Sequence, residues 1–146
     1  MEEVVILIAE DDEAHAALIQ RNLKRAGITG QQLRFSDGQQ TLDFLQRRGE
    51  SQRTPGTAYL LLLDIKMPKV DGVEVLRRVK EDPELKKLPV IMVTTTDDPQ
   101  EVERCHELGC SSYMSKPVEY EQFAEAVRRL GLFLNVVEMP SVGRAV

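Results

Sequence analysis

Five residues of this 146-residue chain could do chemistry together: Glu10, Asp11, Asp64, Thr94 and Lys116. Each stands at or just past the end of a short apolar run. Val4-Val5-Ile6-Leu7-Ile8-Ala9 precedes the acids Glu10 and Asp11, Tyr59-Leu60-Leu61-Leu62-Leu63 precedes Asp64, Pro89-Val90-Ile91-Met92-Val93 precedes Thr94, and Ser112-Tyr113-Met114 lies just before Lys116. If those run ends converge, three carboxylates, a hydroxyl and an ammonium share one site. Crowded like charges repel unless a cation intervenes. A hard divalent cation held by carboxylates, a carbonyl and water answers that need, and Mg²⁺ suits a site that must also admit a phosphoryl oxygen.

The elements around these residues determine whether they can meet. The apolar runs are short, continuous and rich in β-branched residues or leucine, the pattern of strands buried on both faces of a parallel sheet. Gln32-Leu33-Arg34-Phe35 is a weaker strand. Between the strands lie helical stretches. Glu13–Ala26 carries Ala14, Ala17, Leu18 and either Arg21 or Asn22 at helical spacing and stops at Gly27. A second helix follows the turn signal Asp37-Gly38 and carries Leu42, Phe44 and Leu45. The third opens at Asp71-Gly72, carries Val73, Val75, Leu76 and Val79, and ends at Asp82-Pro83. Asp97-Asp98-Pro99 has the cap and first-turn proline of a helix running to Leu108. Phe123, Ala124, Ala126, Val127 and Leu130 define a last amphipathic helix ending at Gly131. The stretch 47–57, with Gly49, Ser51, Pro55 and Gly56, reads as a long and mobile surface loop.

Strand and helix thus alternate five times. The alternation predicts an α/β fold, a doubly wound five-stranded parallel sheet flanked by five helices, with ligand chemistry at the carboxyl ends of the strands. The length is about that of one domain. Composition fits a globular fold, with 42% apolar and 29% charged residues. A formal net charge of −5 argues against binding nucleic acid, which needs clustered Lys and Arg. No apolar run approaches the roughly 18 residues that span a bilayer, and Glu2 and Glu3 stand where a signal peptide carries bases, so the expected location is cytoplasmic. Cys105 and Cys110 lie five apart, matching neither a redox pair nor a zinc cluster, and read as buried thiols.

Four motifs in this order resemble the receiver domains of bacterial response regulators: Ile8-Ala9-Glu10-Asp11-Asp12, Leu63-Asp64-Ile65-Lys66-Met67-Pro68 with Asp71-Gly72, Val93-Thr94-Thr95, and Tyr113-Met114-Ser115-Lys116-Pro117. The likeness spans about residues 4–130. It implies a flavodoxin-like receiver fold of strand order 2-1-3-4-5, with Asp64 accepting a phosphoryl group from a partner histidine kinase in the presence of Mg²⁺. It further implies that Asp11 and Asp64 ligate the metal, with Glu10 acting through water and Lys66 through its backbone carbonyl. Lys116 would hold the phosphoryl oxygens, with Pro117 as a cis-proline aiming it inward. Thr94 and Tyr113 match the switch pair that remodels the surface of helix four, strand five and helix five. Such a chain is a phosphoacceptor with at most slow self-phosphorylation and autodephosphorylation, and not an enzyme. Thr95 is bulkier than the family's frequent Ala or Gly, and Lys66 and Thr96 occupy positions that in the family tune how fast the phosphoryl group is lost.

A narrower resemblance is to single-domain regulators that serve bacterial phytochrome-type kinases. It is carried by the loop around Arg53, the Asp82-Pro83 helix end and the Leu130-Gly131-Leu132 tail. The receiver domain is expected over 1–131, with 132–146 as an apolar C-terminal extension. Leu132, Phe133, Leu134, Val136 and Val137 either pack back on the domain or, as preferred here, build a homodimer contact with the last helix.

Plainer roles stand beside these. Asp12 reads as the N-cap of helix one rather than a ligand, and Tyr113 is equally a core aromatic. His15 and His106 have no partner at metal spacing and read as surface or packing residues. A receiver-like module that binds partners without phosphate is a competing function, although such a module has no electrostatic reason to keep crowded acids. A flavin-binding protein would need backbone donors for phosphate where Glu10-Asp11-Asp12 stand, and an aspartyl phosphatase a second acid where Lys66 stands.

Overall fold

The computed structural model describes residues 4–130 apart from 26, 27, 29, 49, 50, 96, 97, 117 and 118, and only the backbone of 120, 127, 128 and 130. The expected Pro117, Thr96 and segment 132–146 therefore lie outside the described residues. The chain alternates β1 (Val4–Ala9), α1 (Glu13–Arg25), β2 (Gln32–Phe35), α2 (Gly38–Leu45), β3 (Ala58–Leu63), α3 (Gly72–Glu81), β4 (Val90–Thr94), α4 (Pro99–Glu107), β5 (Ser112–Ser115) and α5 (Tyr120–Leu130). All strand pairs are parallel, in the order β2-β1-β3-β4-β5. This is the predicted doubly wound sheet.

Alternation along each strand sorts its side chains to two faces, and the sheet accordingly has two cores. Leu7, Ala9, Leu61, Leu63, Val90 and Met92 point to one face, where α2 contributes Leu42, Phe44 and Leu45, α3 contributes Val75, Leu76 and Val79, and α4 contributes Cys105. Ile6, Ile8, Leu60, Leu62, Ile91 and Val93 point to the other, against Ile19 and Leu23 of α1 and Phe123 and Ala126 of α5. Burial on both faces explains why these strands read as unbroken apolar runs.

Helix starts follow their caps. Asp37, Asp71 and Asp98 each accept a backbone N–H of the first turn, from Gln40, Glu74 and Gln100 respectively, and Pro99 opens α4. One expectation needs correction. The buried stripe of α1 is Ala16, Ile19 and Leu23, while Ala14 and Ala17 are exposed and Leu18 is half-buried. The stretch 47–57 carries no helix or strand among its described residues, as expected of a loop, and Arg53 anchors it to α2. The Arg53 guanidinium donates to the Leu45 carbonyl at the end of α2, its backbone N–H donates to Phe44 O at 3.1 Å, and its Nη2 lies 3.5 Å from Glu84. Thr54 N donates to the Tyr59 hydroxyl at 2.8 Å. Arg53 closes α2 by donating to two carbonyls of its last turn.

Candidate functional site

Strand register brings the acids together. Ala9 pairs with Leu63 on β3 and with Phe35 on β2, and the ladder runs one residue further: Asp64 N donates to Ala9 O and Glu10 N to Phe35 O, each at 3.0 Å. Glu10 and Asp64 therefore leave neighbouring strands side by side. Thr94 pairs with Ser115, and Lys116 N donates to Thr94 O at 3.0 Å, which sets Lys116 at the same edge.

The side chains converge accordingly. Lys116 Nζ donates to Asp64 Oδ2 at 3.1 Å and forms an ion pair with Glu10 Oε1. Glu10 is 1% exposed, Asp64 6% and Thr94 1%. Asp11 is exposed at the rim. One carboxylate oxygen from each of Glu10, Asp11 and Asp64 lies within 4.8 Å of the others. Burial pushes the Glu10 carboxyl above its ordinary value; the Lys116 contact opposes this and the Asp64 charge adds to it. Burial by itself would lower the Lys116 ammonium, but its contact with Glu10 and the charge of Asp64 outweigh that and raise it.

These residues fit a divalent cation. Three carboxylates against one ammonium leave two negative charges uncompensated in a largely buried cluster. Glu10 Oε1 is buried and, although Lys116 sits against it, accepts no well-directed hydrogen bond. A buried carboxylate oxygen of that kind is the donor a hard cation takes. Glu10, Asp11 and Asp64 could hold it. Lys66 has an exposed side chain that enters none of these ion pairs among the described residues.

Asp12 is the N-cap of α1: its Oδ1 accepts Ala14 N at 2.8 Å and His15 N at 3.1 Å. Tyr113 is half-buried on β5, with its ring centroid 6.4 Å from that of His106. His106 Nδ1 also lies 3.7 Å from Cys110 Sγ, a packing role.

Three contributors were not foreseen. Arg34 on β2 donates through Nε and Nη2 to Glu10 O at 3.1 and 2.9 Å and through Nη2 to Asp11 O at 3.2 Å, which fixes the acidic turn. An arginine inside a half-buried strand needs acceptors, and that was the available signal. His15 Nδ1 lies 3.1 Å from Lys116 Nζ, a contact 101 residues apart in sequence that no local pattern announces. Gly72 lets α3 close onto the Asp64 backbone: its N–H donates to Ile65 O at 2.7 Å, and a Cβ there would fall 1.9 Å from Asp64 O.

Residues 6–128 match the family model described as the response regulator receiver domain. The chain is 35% identical over 138 residues to the response regulator Rcp1 of Synechocystis sp., covering 94% of this chain and 93% of Rcp1. Its fold superposes on the bacteriophytochrome response regulator AtBRR with a TM-score of 0.82 at 35% identity, covering 95% of this chain and all of that one. The Mn²⁺-bound form of Rcp1 superposes with a TM-score of 0.73 at 34% identity, covering 93% of this chain and 98% of that one.

Proposed function

The chain belongs to the response regulator receiver family, and on that premise we propose that Asp64 accepts a phosphoryl group from a histidine kinase. The observation that carries this reading is the buried Asp64 carboxylate, held 3.1 Å from Lys116 Nζ inside the acidic cluster. An Asp64 oxygen attacks the phosphorus of a kinase phosphohistidine. The new P–O bond forms as the P–N bond breaks, and the imidazole departs with the electron pair, giving an acyl phosphate.

Lys116 already touches the Asp64 carboxylate and would meet the arriving phosphoryl oxygens as a point charge. Thr94, buried at the end of β4, supplies the switch hydroxyl, and half-buried Tyr113 on the next strand is its aromatic partner. Asp11, Asp64 and the Lys66 carbonyl would hold Mg²⁺, with Glu10 acting through water, and the ion when bound would supply positive charge against the transferring group. In this reading the chain is a phosphoacceptor and not a turnover enzyme, and its readout is the surface of α4, β5 and α5.

The likeness to the bacteriophytochrome response regulator AtBRR supports a phytochrome-type kinase as the donor, which would place the receiver in the cytoplasm with that kinase's catalytic part. The apolar run Leu132-Phe133-Leu134 with Val136 and Val137 supports a homodimer built on α5 and this tail. Among the described residues no helix is long and apolar enough to cross a membrane.

Intact mass after incubation with acetyl phosphate tests the reading. The wild type with MgCl₂ gains one phosphoryl group, whereas Asp64→Asn and a chelated sample gain none. No gain in any sample favours a phosphate-independent binding module instead.

A further inference from the structure

The Lys116 ammonium has three N–H donors and meets three partners on three elements: Glu10 after β1, Asp64 after β3 and His15 on α1. Two are carboxylates that also face the cation site. The third is a neutral acceptor that belongs to neither the acidic cluster nor the switch pair. His15 Nδ1 lies 3.1 Å from Lys116 Nζ, and an ammonium cannot accept, so Nδ1 must carry the lone pair and Nε2 the proton.

We propose that His15 is a positioning residue for phosphoryl uptake, its neutral imidazole holding the Lys116 ammonium over Asp64. The proposal deepens the phosphoacceptor reading and rests on it for its functional part. Two competing partners face the ring among the described residues. Lys116 requires a bare Nδ1, while Asp12 Oδ2 lies 4.0 Å away on the β1–α1 turn. Without the Nδ1 acceptor, Lys116 would fall back on Glu10 and Asp64 alone, drawn toward the carboxylates and away from the incoming phosphate.

Substitution separates this role from packing. Asn places an amide oxygen near the position of Nδ1, whereas Leu fills the space with no acceptor. The initial rate of phosphoryl uptake from acetyl phosphate with MgCl₂ is read by intact mass at pH 8 for wild type, His15→Asn and His15→Leu. The expected result is a rate for His15→Leu about tenfold below wild type at pH 8, the worth of one hydrogen bond to a charged group. His15→Asn should keep most of the rate. Equal rates in all three, or an Asn variant as slow as the Leu variant, overturn the proposal. If wild type itself takes up nothing, the phosphoacceptor reading has failed and the contact is judged separately. Long-range ¹H–¹⁵N spectra of the two histidines in the unphosphorylated protein should show His15 as the Nε2–H tautomer, with its Nδ1 signal moved by Lys116→Met. An Nδ1–H tautomer, or a signal indifferent to Lys116, overturns the contact.

Discussion

A Cβ on Gly72 would lie 1.9 Å from the carbonyl oxygen of Asp64, so the first residue of α3 and the candidate acceptor are in backbone contact. Gly38 repeats the arrangement at the start of α2, where a Cβ would fall 1.8 Å from Val70 O. The two helix starts thereby clamp the 64–72 segment from both sides. Gly72→Ala must push backbone against backbone, and it should cost roughly 1–3 kcal/mol or more, as overpacking does. Urea denaturation measures the loss. Phosphoryl uptake in the surviving folded fraction should also slow, because Asp64 moves with its carbonyl.

Arg34 satisfies two carbonyls of the acidic turn at once. Arg34→Met keeps much of the side-chain bulk and removes the donors. The expected cost is about 1–3 kcal/mol for the carbonyls left short of a partner, and weaker divalent-cation binding because Glu10 and Asp11 lose their anchor. Manganese titration followed by electron paramagnetic resonance reads the second effect. Unchanged metal affinity alongside lost stability would restrict Arg34 to a structural role.

Lys116→Met leaves Glu10 and Asp64 buried with no cation. Without metal this should destabilise the fold by roughly 3–5 kcal/mol, the penalty for breaking a buried ion pair on one side. MgCl₂ should restore part of that stability in the variant, and more than it adds to wild type. Melting with and without MgCl₂ gives the comparison.

Burial pushes the Cys110 thiol up to about 11 from an ordinary 9.0, with neighbouring Cys105 adding to the shift. The folded state keeps its proton where the unfolded state has lost it. Stability should therefore be unaffected by this group below about pH 9 and decline as pH rises toward 11. Cys110→Ala should flatten that decline in urea denaturation series between pH 8 and 11. At pH 7.5 neither thiol should react with iodoacetamide in the native state, and both should react in urea.

The sheet was legible because each central strand is buried on both faces and reads as an unbroken apolar run with a polar residue at its end. Glu10, Asp64 and Thr94 were found that way, Lys116 follows the short edge strand β5, and parallel topology did the rest. The buried face of α1 was misread because alanine suits exposed and buried positions equally, so Ala14 and Ala17 looked like a stripe. The Gly, Ser and Pro of the 47–57 loop are visible in sequence, while the grip of Arg53 on the end of α2 is not. Arg34 and His15 act across 24 and 101 residues respectively, distances at which spacing carries no signal.

The most direct test of the central claim is chemical mapping of the acceptor. Protein treated with acetyl phosphate and MgCl₂ is reduced with borohydride, which converts an aspartyl phosphate to homoserine, then digested and sequenced by mass spectrometry. The account predicts homoserine at position 64 and at no other acid, and none when metal is chelated. Homoserine at Asp11 or Asp12 in place of Asp64, the reduced glutamate 2-amino-5-hydroxypentanoate at Glu10, or no homoserine in a protein that has gained phosphoryl mass, would contradict it.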